Sequence, residues 1–300
     1  MKDLISIADL TTDDINNLIK SAVELKQKKG MNLLEGKVLA LIFEKPSLRT
    51  RVSFDVAMKQ LGGHTIYLSP AEVGMGTREP VEDTAKVLSR YVDGIVARTF
   101  AQRTVVVLAK NATVPVINGL SNEEHPCQIL SDLLTIYEKK GRLEGLTLAY
   151  IGDANNISNS LLLACAMTGI EFRIASPKGY GPNRQLLDRA GEYTRGGNKV
   201  VVTEDKKEAA DKADIVYTDV WTSMGQEAEE AKRRAAFTAY RIGPKLLALA
   251  KGDVIFMHPL PAHQGEEIMP GLLDAPQSVV FDQAENRLHM QKAILAKLLK

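Results

Sequence analysis

Lys37-Val38-Leu39-Ala40-Leu41-Ile42-Phe43-Glu44-Lys45-Pro46-Ser47-Leu48-Arg49-Thr50-Arg51 is the stretch that decides the fold. Lys37–Phe43 is a nearly continuous apolar run, the pattern of a strand covered on both faces. A proline turn follows, then two hydroxyls, two arginines and the helical pattern Val52-Ser53-Phe54-Asp55-Val56-Ala57-Met58. Backbone N–H groups at a helix start, with Ser47, Thr50, Arg49 and Arg51 around them, make an anion cradle.

Outward from this stretch the pattern repeats. Upstream, Thr12 is expected to cap a helix, Asp13 and Asp14 favour its positive end, and Gly30 stops it. Ile15, Leu18, Ile19, Ala22 and Leu25 give that helix one buried face. Downstream, short β runs are expected at His64–Leu68, Gly94–Arg98 and Val114–Asn118. A second series is expected at Thr147–Ile151, Glu171–Ala175, Lys199–Val202, Ile215–Thr218, Val254–Met257 and Ser278–Phe281, with helical stretches between. Alternation of this kind predicts an α/β chain with mainly parallel sheets flanked by helices. The 300 residues exceed one ordinary core and favour two domains. The joint is expected near the helix Pro126–Lys140, giving domains of residues 1–135 and 136–282. A last helix, Gln283 to Leu298, is expected to pack residues 283–300 back on the first domain.

Composition narrows the function classes. With 38 Lys+Arg against 37 Asp+Glu the chain is near neutral, which argues against a nucleic-acid or membrane partner. An anionic substrate must therefore be held by local arginines. The two cysteines, Cys127 and Cys165, have no paired ligand spacing, so neither a disulfide nor a structural zinc is expected and a cytoplasmic location is. The acidic start MKDLISIADLTTDD does not read as a signal peptide. No G-x-G-x-x-G follows Tyr150-Ile151-Gly152-Asp153-Ala154-Asn155-Asn156, which argues against a dinucleotide cofactor.

In parallel sheets, ligands bind beyond the carboxyl ends of the strands. Reactive side chains gather at several such ends: Ser47–Arg51, Arg98-Thr99-Phe100, His125-Pro126-Cys127-Gln128, Asn155-Asn156, and Asp219-Val220-Trp221-Thr222-Ser223-Met224-Gly225. His125 and Gln128 can converge at one helix start, with Cys127 between them packing inward. A carboxylate such as Asp219 at a strand end can pair with an ammonium group.

Ser-x-Arg-Thr-Arg after a first strand, His-Pro-x-Gln, Gly-Asp-x-Asn-Asn and Asp-Val-Trp-x-Ser-Met-Gly, in this order, resemble the aspartate and ornithine carbamoyltransferases, with the last two closest to the ornithine branch. The resemblance implies a carbamoyl-phosphate-binding first domain and an amino-acid-binding second domain. It implies that Ser47, Leu48, Arg49, Thr50, Arg98, His125, Gln128, Pro259, Leu260 and Arg287 contact carbamoyl phosphate. Within that set Arg49, Thr50, Arg98, His125 and Gln128 are implied to be catalytic: His125 polarises the carbamoyl carbonyl and Gln128 orients the carbamoyl nitrogen. Asn156, Asp219, Ser223 and Met224 are implied to hold the acceptor. It further implies small-molecule substrates only, no cofactor, no metal, and a homotrimer or multiple of trimers with domains that close on ordered substrates. The implied reaction makes citrulline from L-ornithine.

Three positions depart from the pattern. His258-Pro259-Leu260-Pro261 stands where ornithine carbamoyltransferases usually carry His-Cys-Leu-Pro, and it matches the aspartate branch. The carbonyls of residues 259 and 260 remain for the carbamoyl NH₂, since proline lacks only its N–H, but a thiol near the reacting amine is gone. Gly74 replaces a common Gln, and Leu48 a common Thr. These departures leave open another acceptor (putrescine, lysine, an acylated ornithine or aspartate) or a catalytically silent paralogue that binds carbamoyl phosphate.

Overall fold

The structure, a computed structural model, describes residues 1–300 apart from 29–30, 70–72, 76–77, 195–198 and Met224. It divides into a first unit of Met1–Leu134 with Glu285–Lys300 and a second of Thr135–Ala284.

In the first unit β1 (Val38–Phe43) pairs in parallel with β2 (His64–Leu68) and, on its other side, with β3 (Gly94–Arg98), beyond which lies β4 (Val116–Leu120). β1 and β3 are buried along nearly their whole length, as continuous apolar runs require. β4 begins two residues later than the apolar run suggests, because Pro115 has no N–H for the ladder. β1 likewise starts at Val38, with the Lys37 ammonium 2.9 Å from Asp93.

α1 (Thr12–Gln27) carries the expected buried stripe, but Thr11, not Thr12, is its cap. Thr11 is extended, and its hydroxyl accepts from the Asp14 N–H while the Asp14 carboxylate returns to the Thr11 N–H. A capping box needs that three-residue reach, and Thr12 is one residue too close. The expected stop at Gly30 lies outside the described residues; the helix ends at Gln27. α2 (Leu48–Gln60), α3 (Val81–Leu88) and α4 (Gln102–Asn111) connect the strands, and the core between them is built on Ala40, Ile42, Ile95, Ala97, Val105 and Leu108.

α5 (Pro126–Lys140) carries the chain into the second unit. There β5 (Thr147–Ile151) lies at the centre, with β6 (Glu171–Ala175) and β7 (Val200–Thr203) on one side. On the other side are β8 (Ile215–Tyr217) and β9 (Ile255–Met257), every pairing parallel. α6 (Asn156–Thr168) ends on Gly169 at φ +81, a left-handed position where an added Cβ would also meet Glu144 Cγ at 2.9 Å. α7 (Arg184–Tyr193), α8 (Lys206–Ala210), α9 (Glu230–Phe237) and α10 (Pro244–Leu247) complete this unit before the last helix.

The strand expected at Ser278–Phe281 is not one. Ser278 makes a single bridge to Phe256, and α11 (Val280–Leu299) starts two residues later. Val280, Gln283, Arg287, Met290 and Ile294 are all buried, and that spacing is helical, so the short β-branched run is overruled by the longer period.

Both sheets reverse their strand order at an interior pair, β1/β3 in the first and β5/β8 in the second. The carboxyl ends flanking such a reversal are where α/β sheets leave room for ligands.

Candidate active site

In the first unit, the reversal point is lined by cations. Arg98 ends β3 directly opposite Phe43, the last residue of β1. Ser47 caps α2 by accepting from the Thr50 N–H, which leaves Arg49 and Thr50 in the positive first turn of the helix. Arg287, from α11, donates through Nη2 to Thr50 Oγ1 at 2.7 Å, joining residues 237 apart in sequence. Arg98 is 5% exposed, and its buried Nε has no hydrogen-bond partner among the described residues. Burial first, and then the charges of Arg287 and Arg49, push the Arg98 guanidinium down to about 10. Burial alone lowers Arg49. A buried guanidinium depressed by neighbouring guanidinium charges is stabilised by a multiply charged anion. Leu48, by contrast, is 76% exposed.

His125 is buried immediately before α5. Burial, followed by the charges of Arg287 and Arg98, holds it well below the ordinary imidazole range, so the ring is neutral at physiological pH. A neutral ring can donate one hydrogen bond to a carbonyl oxygen without adding to the local positive charge. Its loop is anchored from behind: Glu124 accepts from Ser6 Oγ at 2.5 Å and from the Ile7 N–H at 3.0 Å. Gln128, one turn into α5, is buried and donates to Asp132 Oδ1 at 2.9 Å. Cys127 does pack inward, its thiol donating to the Asn118 carbonyl at 3.4 Å, and burial pushes it up to about 12. That makes it an inert thiol.

In the second unit the β5/β8 reversal gathers polar groups of a different kind. Asp219 follows β8 and is buried; Oδ1 accepts from the Val220 N–H at 2.8 Å and Oδ2 from Asn155 Nδ2 at 2.7 Å. Burial raises its carboxyl above the ordinary value. Asn155 also caps α6, its Oδ1 accepting from the N–H groups of Ile157 and Ser158. The sequence singled out Asn156, which sits half-buried in the first turn of α6; the neighbour Asn155 is the one that fixes Asp219. Ser223 is half-buried and donates its N–H to Gln226 Oε1 at 3.1 Å, whereas Met224 lies outside the described residues.

A brace that sequence reasoning missed ties these two loops together. Arg233 on α9 donates from Nη1 to Asp153 Oδ2 at 2.7 Å and to the Trp221 carbonyl at 3.2 Å. Its Nε meets Glu229 at 3.1 Å. The guanidinium lies 5.3 Å from the Tyr180 ring centre. Nothing local marks Arg233, because Asp153 is 80 residues away.

After β9, His258 is fully buried. Its N–H donates to Gln283 Oε1, and its Nδ1 accepts from the Leu260 N–H, both at 2.9 Å. Leu260 sits at φ +56, a region that costs a leucine on the order of 1–3 kcal/mol unless its surroundings enforce it. Among the described residues, His263, Glu266 and Glu267 could group around a metal ion, their ligand atoms lying within 4.8 Å of one another. Glu266 already pairs with Arg234 at 2.5 Å and Glu267 with His258 at 3.3 Å, so the two carboxylates have protein cations or donors of their own.

Two family models match the chain: the carbamoyl-P binding domain of aspartate/ornithine carbamoyltransferases over residues 2–138, and the Asp/Orn binding domain over residues 144–298. The ornithine carbamoyltransferase of Archaeoglobus fulgidus is 52% identical, covering 100% of this chain and 98% of that protein. That of Bacillus subtilis is also 52% identical, covering 99% of this chain and 94% of that protein. The solved structure of the Pyrococcus furiosus ornithine carbamoyltransferase superposes with a TM-score of 0.95 at 48% identity, covering 99% of this chain and 97% of that one.

The buried neutral His125 makes stability pH-dependent in a defined sense. Its folded pKa lies well below the unfolded 6.5, so between those values only the unfolded chain takes up the proton and stability falls as pH falls. Thermal melts from pH 7.5 downward are expected to show His125→Gln losing less stability below about pH 6.5 than the wild type.

Proposed function

The chain belongs to the aspartate/ornithine carbamoyltransferase family, and from that premise we propose that it transfers the carbamoyl group of carbamoyl phosphate to the side-chain amine of L-ornithine, giving citrulline and phosphate. The observation that carries this reading is the pairing of two unlike sites. One is a buried arginine cluster suited to a phosphorylated dianion; the other is a buried carboxylate suited to an ammonium group. The ornithine carbamoyltransferases at about half identity support the acceptor.

In the first unit Ser47, Leu48 and Thr50 offer the α2 start, and Arg49, Arg98 and Arg287 offer charge, to the phosphate. His125 donates to the carbamoyl oxygen. Gln128 and the carbonyls of Pro259 and Leu260 take the carbamoyl nitrogen. Asn156, Asp219, Ser223 and Met224 hold the amino-acid end of ornithine. The neutral amine attacks the carbamoyl carbon, the bond from that carbon to the phosphate oxygen breaks, and phosphate leaves with the electron pair. The amine proton is released to phosphate or a neighbouring base. Catalysis then rests on positioning and on stabilising negative charge at the carbonyl and leaving oxygens, the part for which the arginines and His125 are suited. The chemistry asks for neither cofactor nor metal.

Amino-acid biosynthesis on the way to arginine is the natural setting, and the cytoplasm the natural compartment. Both cysteines are free thiols, and no described helix is long and apolar enough to cross a membrane. A homotrimer is supported by apolar side chains left exposed on the first unit, Leu48 and Val52 one turn apart on α2 and Phe100 beyond β3. Light scattering of the purified protein is expected to give three times the 32.9 kDa chain mass, or a multiple of that.

The function is tested by offering carbamoyl phosphate with ornithine, putrescine, lysine, acetylornithine and aspartate in turn, and measuring phosphate and carbamoylated product. Citrulline from ornithine is expected; product from another amine would move the acceptor, and no product with donor binding intact would indicate a silent binder. Arg233→Lys keeps the charge beside Asp153 but loses the forked contacts to Trp221 and Glu229. A lost charged hydrogen bond of about 1.5 kcal/mol corresponds to about a tenfold rise in KM for ornithine. The KM for carbamoyl phosphate is expected to stay within about twofold of the wild type in the same steady-state assay.

A further inference from the structure

The turn after β9 contains one of the residues that depart from the ornithine branch, Pro259, between a buried histidine and a leucine in the left-handed region. Both carbonyls assigned to the carbamoyl nitrogen, those of Pro259 and Leu260, belong to this turn, so whatever fixes its backbone fixes them. Pro259 has no N–H with which to tie the turn down. The Leu260 N–H does it instead, by donating to His258 Nδ1 at 2.9 Å.

That bond determines the protonation of the ring. A nitrogen that accepts cannot carry the proton, so the proton sits on Nε2, which lies 3.3 Å from Glu267 Oε1. His258 is itself held from two sides. Its N–H donates to Gln283 Oε1, and Gln283 Nε2 donates to the Tyr217 hydroxyl at 3.1 Å. Glu267 Oε1 also accepts from the His263 N–H, farther along the same loop. Nδ1 is therefore committed within this loop, whereas the buried Nε2 lies 3.3 Å from Glu267 Oε1 without completing a hydrogen bond to a described residue, and Pro259, the residue between His258 and Leu260, has no side-chain proton to pass to a substrate.

We propose that His258 is a positioning residue: through Nδ1 it holds Leu260 left-handed and so sets the direction of the Pro259 and Leu260 carbonyls, and it carries no proton during transfer. The proposal rests on the reading that these carbonyls bind the carbamoyl nitrogen. It leaves Glu267, 3.3 Å from Nε2, as the carboxylate that faces the other edge of the ring.

Asparagine and glutamine separate the two nitrogens. The amide oxygen of His258→Asn can stand where Nδ1 stood and accept from Leu260, whereas His258→Gln puts its amide in the place of Nε2. Wild type is assayed first with carbamoyl phosphate and ornithine. Absence of citrulline there would overturn the functional reading, independently of what any variant does. Given an active wild type, His258→Asn is expected to keep the KM for carbamoyl phosphate within about threefold, while His258→Gln raises it by about tenfold or more, with unchanged pH profiles of kcat. Equal damage in both, or loss of a limb of the pH profile, would overturn the proposal. Because either variant can disturb the buried loop, Glu267→Gln supplies a second reading that keeps the Leu260–His258 bond. It is expected to retain kcat within about threefold, and a loss of about a hundredfold or more, in protein whose Trp221 fluorescence and melting remain native, would make His258 a proton carrier instead.

Discussion

Every strand pairing in the two sheets is parallel, and this hydrogen-bonding pattern is the constraint on which the rest depends. Parallel strands cannot be joined by hairpins, so each is followed by a crossover, and the carboxyl ends in a sheet all open on one edge. Residues separated by tens of positions thereby become neighbours. Arg98 meets the β1–α2 turn because β3 lies against β1, and Asp219 meets Asn155 because β8 lies against β5. The reversal of strand order at those same pairs parts the flanking crossovers and leaves the strand ends accessible.

The two units use this arrangement for opposite electrostatic purposes. The first concentrates guanidinium groups where burial makes their mutual repulsion costly, and an anion offsets that cost more effectively in such surroundings than at an exposed surface. Burial, reinforced by the same positive field, keeps His125 neutral, which suits a hydrogen-bond donor. The second unit buries a carboxylate at Asp219; burial raises its carboxyl, and one backbone and one amide donor offset part of that rise. Asp153, also buried and raised by that burial, is neutralised by Arg233. A bare buried charge would be expensive, and removing one member of such a pair costs about 3–5 kcal/mol. The brace thus gives the loops at Asp153 and Trp221 a fixed geometry as well as charge balance.

Much of this was legible in the chain. The apolar run of β1, the hydroxyls and arginines at the helix start after it, the strand ends at Arg98 and Asp219, and the inward Cys127 follow from local pattern, because burial leaves a mark within a few residues. Errors arose where local pattern is ambiguous. Thr11 and Thr12 are both good caps, and only the reach to Asp14 separates them. Ser278–Phe281 has strand-like residues, yet the longer helical period beyond it wins. The contact of Asn155 with Asp219, beside the Asn156 expected to meet the acceptor, left no local mark, because it depends on where α6 starts relative to β8.

The sequence by itself determined the class of fold, the order of the motifs and the inventory of reactive groups, because hydrophobic periodicity and motif spacing are properties of neighbours along the chain. Tertiary structure alone decided which groups touch. Arg287 reaches Thr50 across 237 positions, Arg233 reaches Asp153 across 80, and the N-terminal Ser6 and Ile7 anchor Glu124 beside His125. It alone also decided the protonation states, since the neutrality of His125 and the raised carboxyl of Asp219 come from burial and from charges brought near by folding. The physical reason is the same in each case: desolvation and Coulomb energy depend on distance in space, which sequence spacing does not encode.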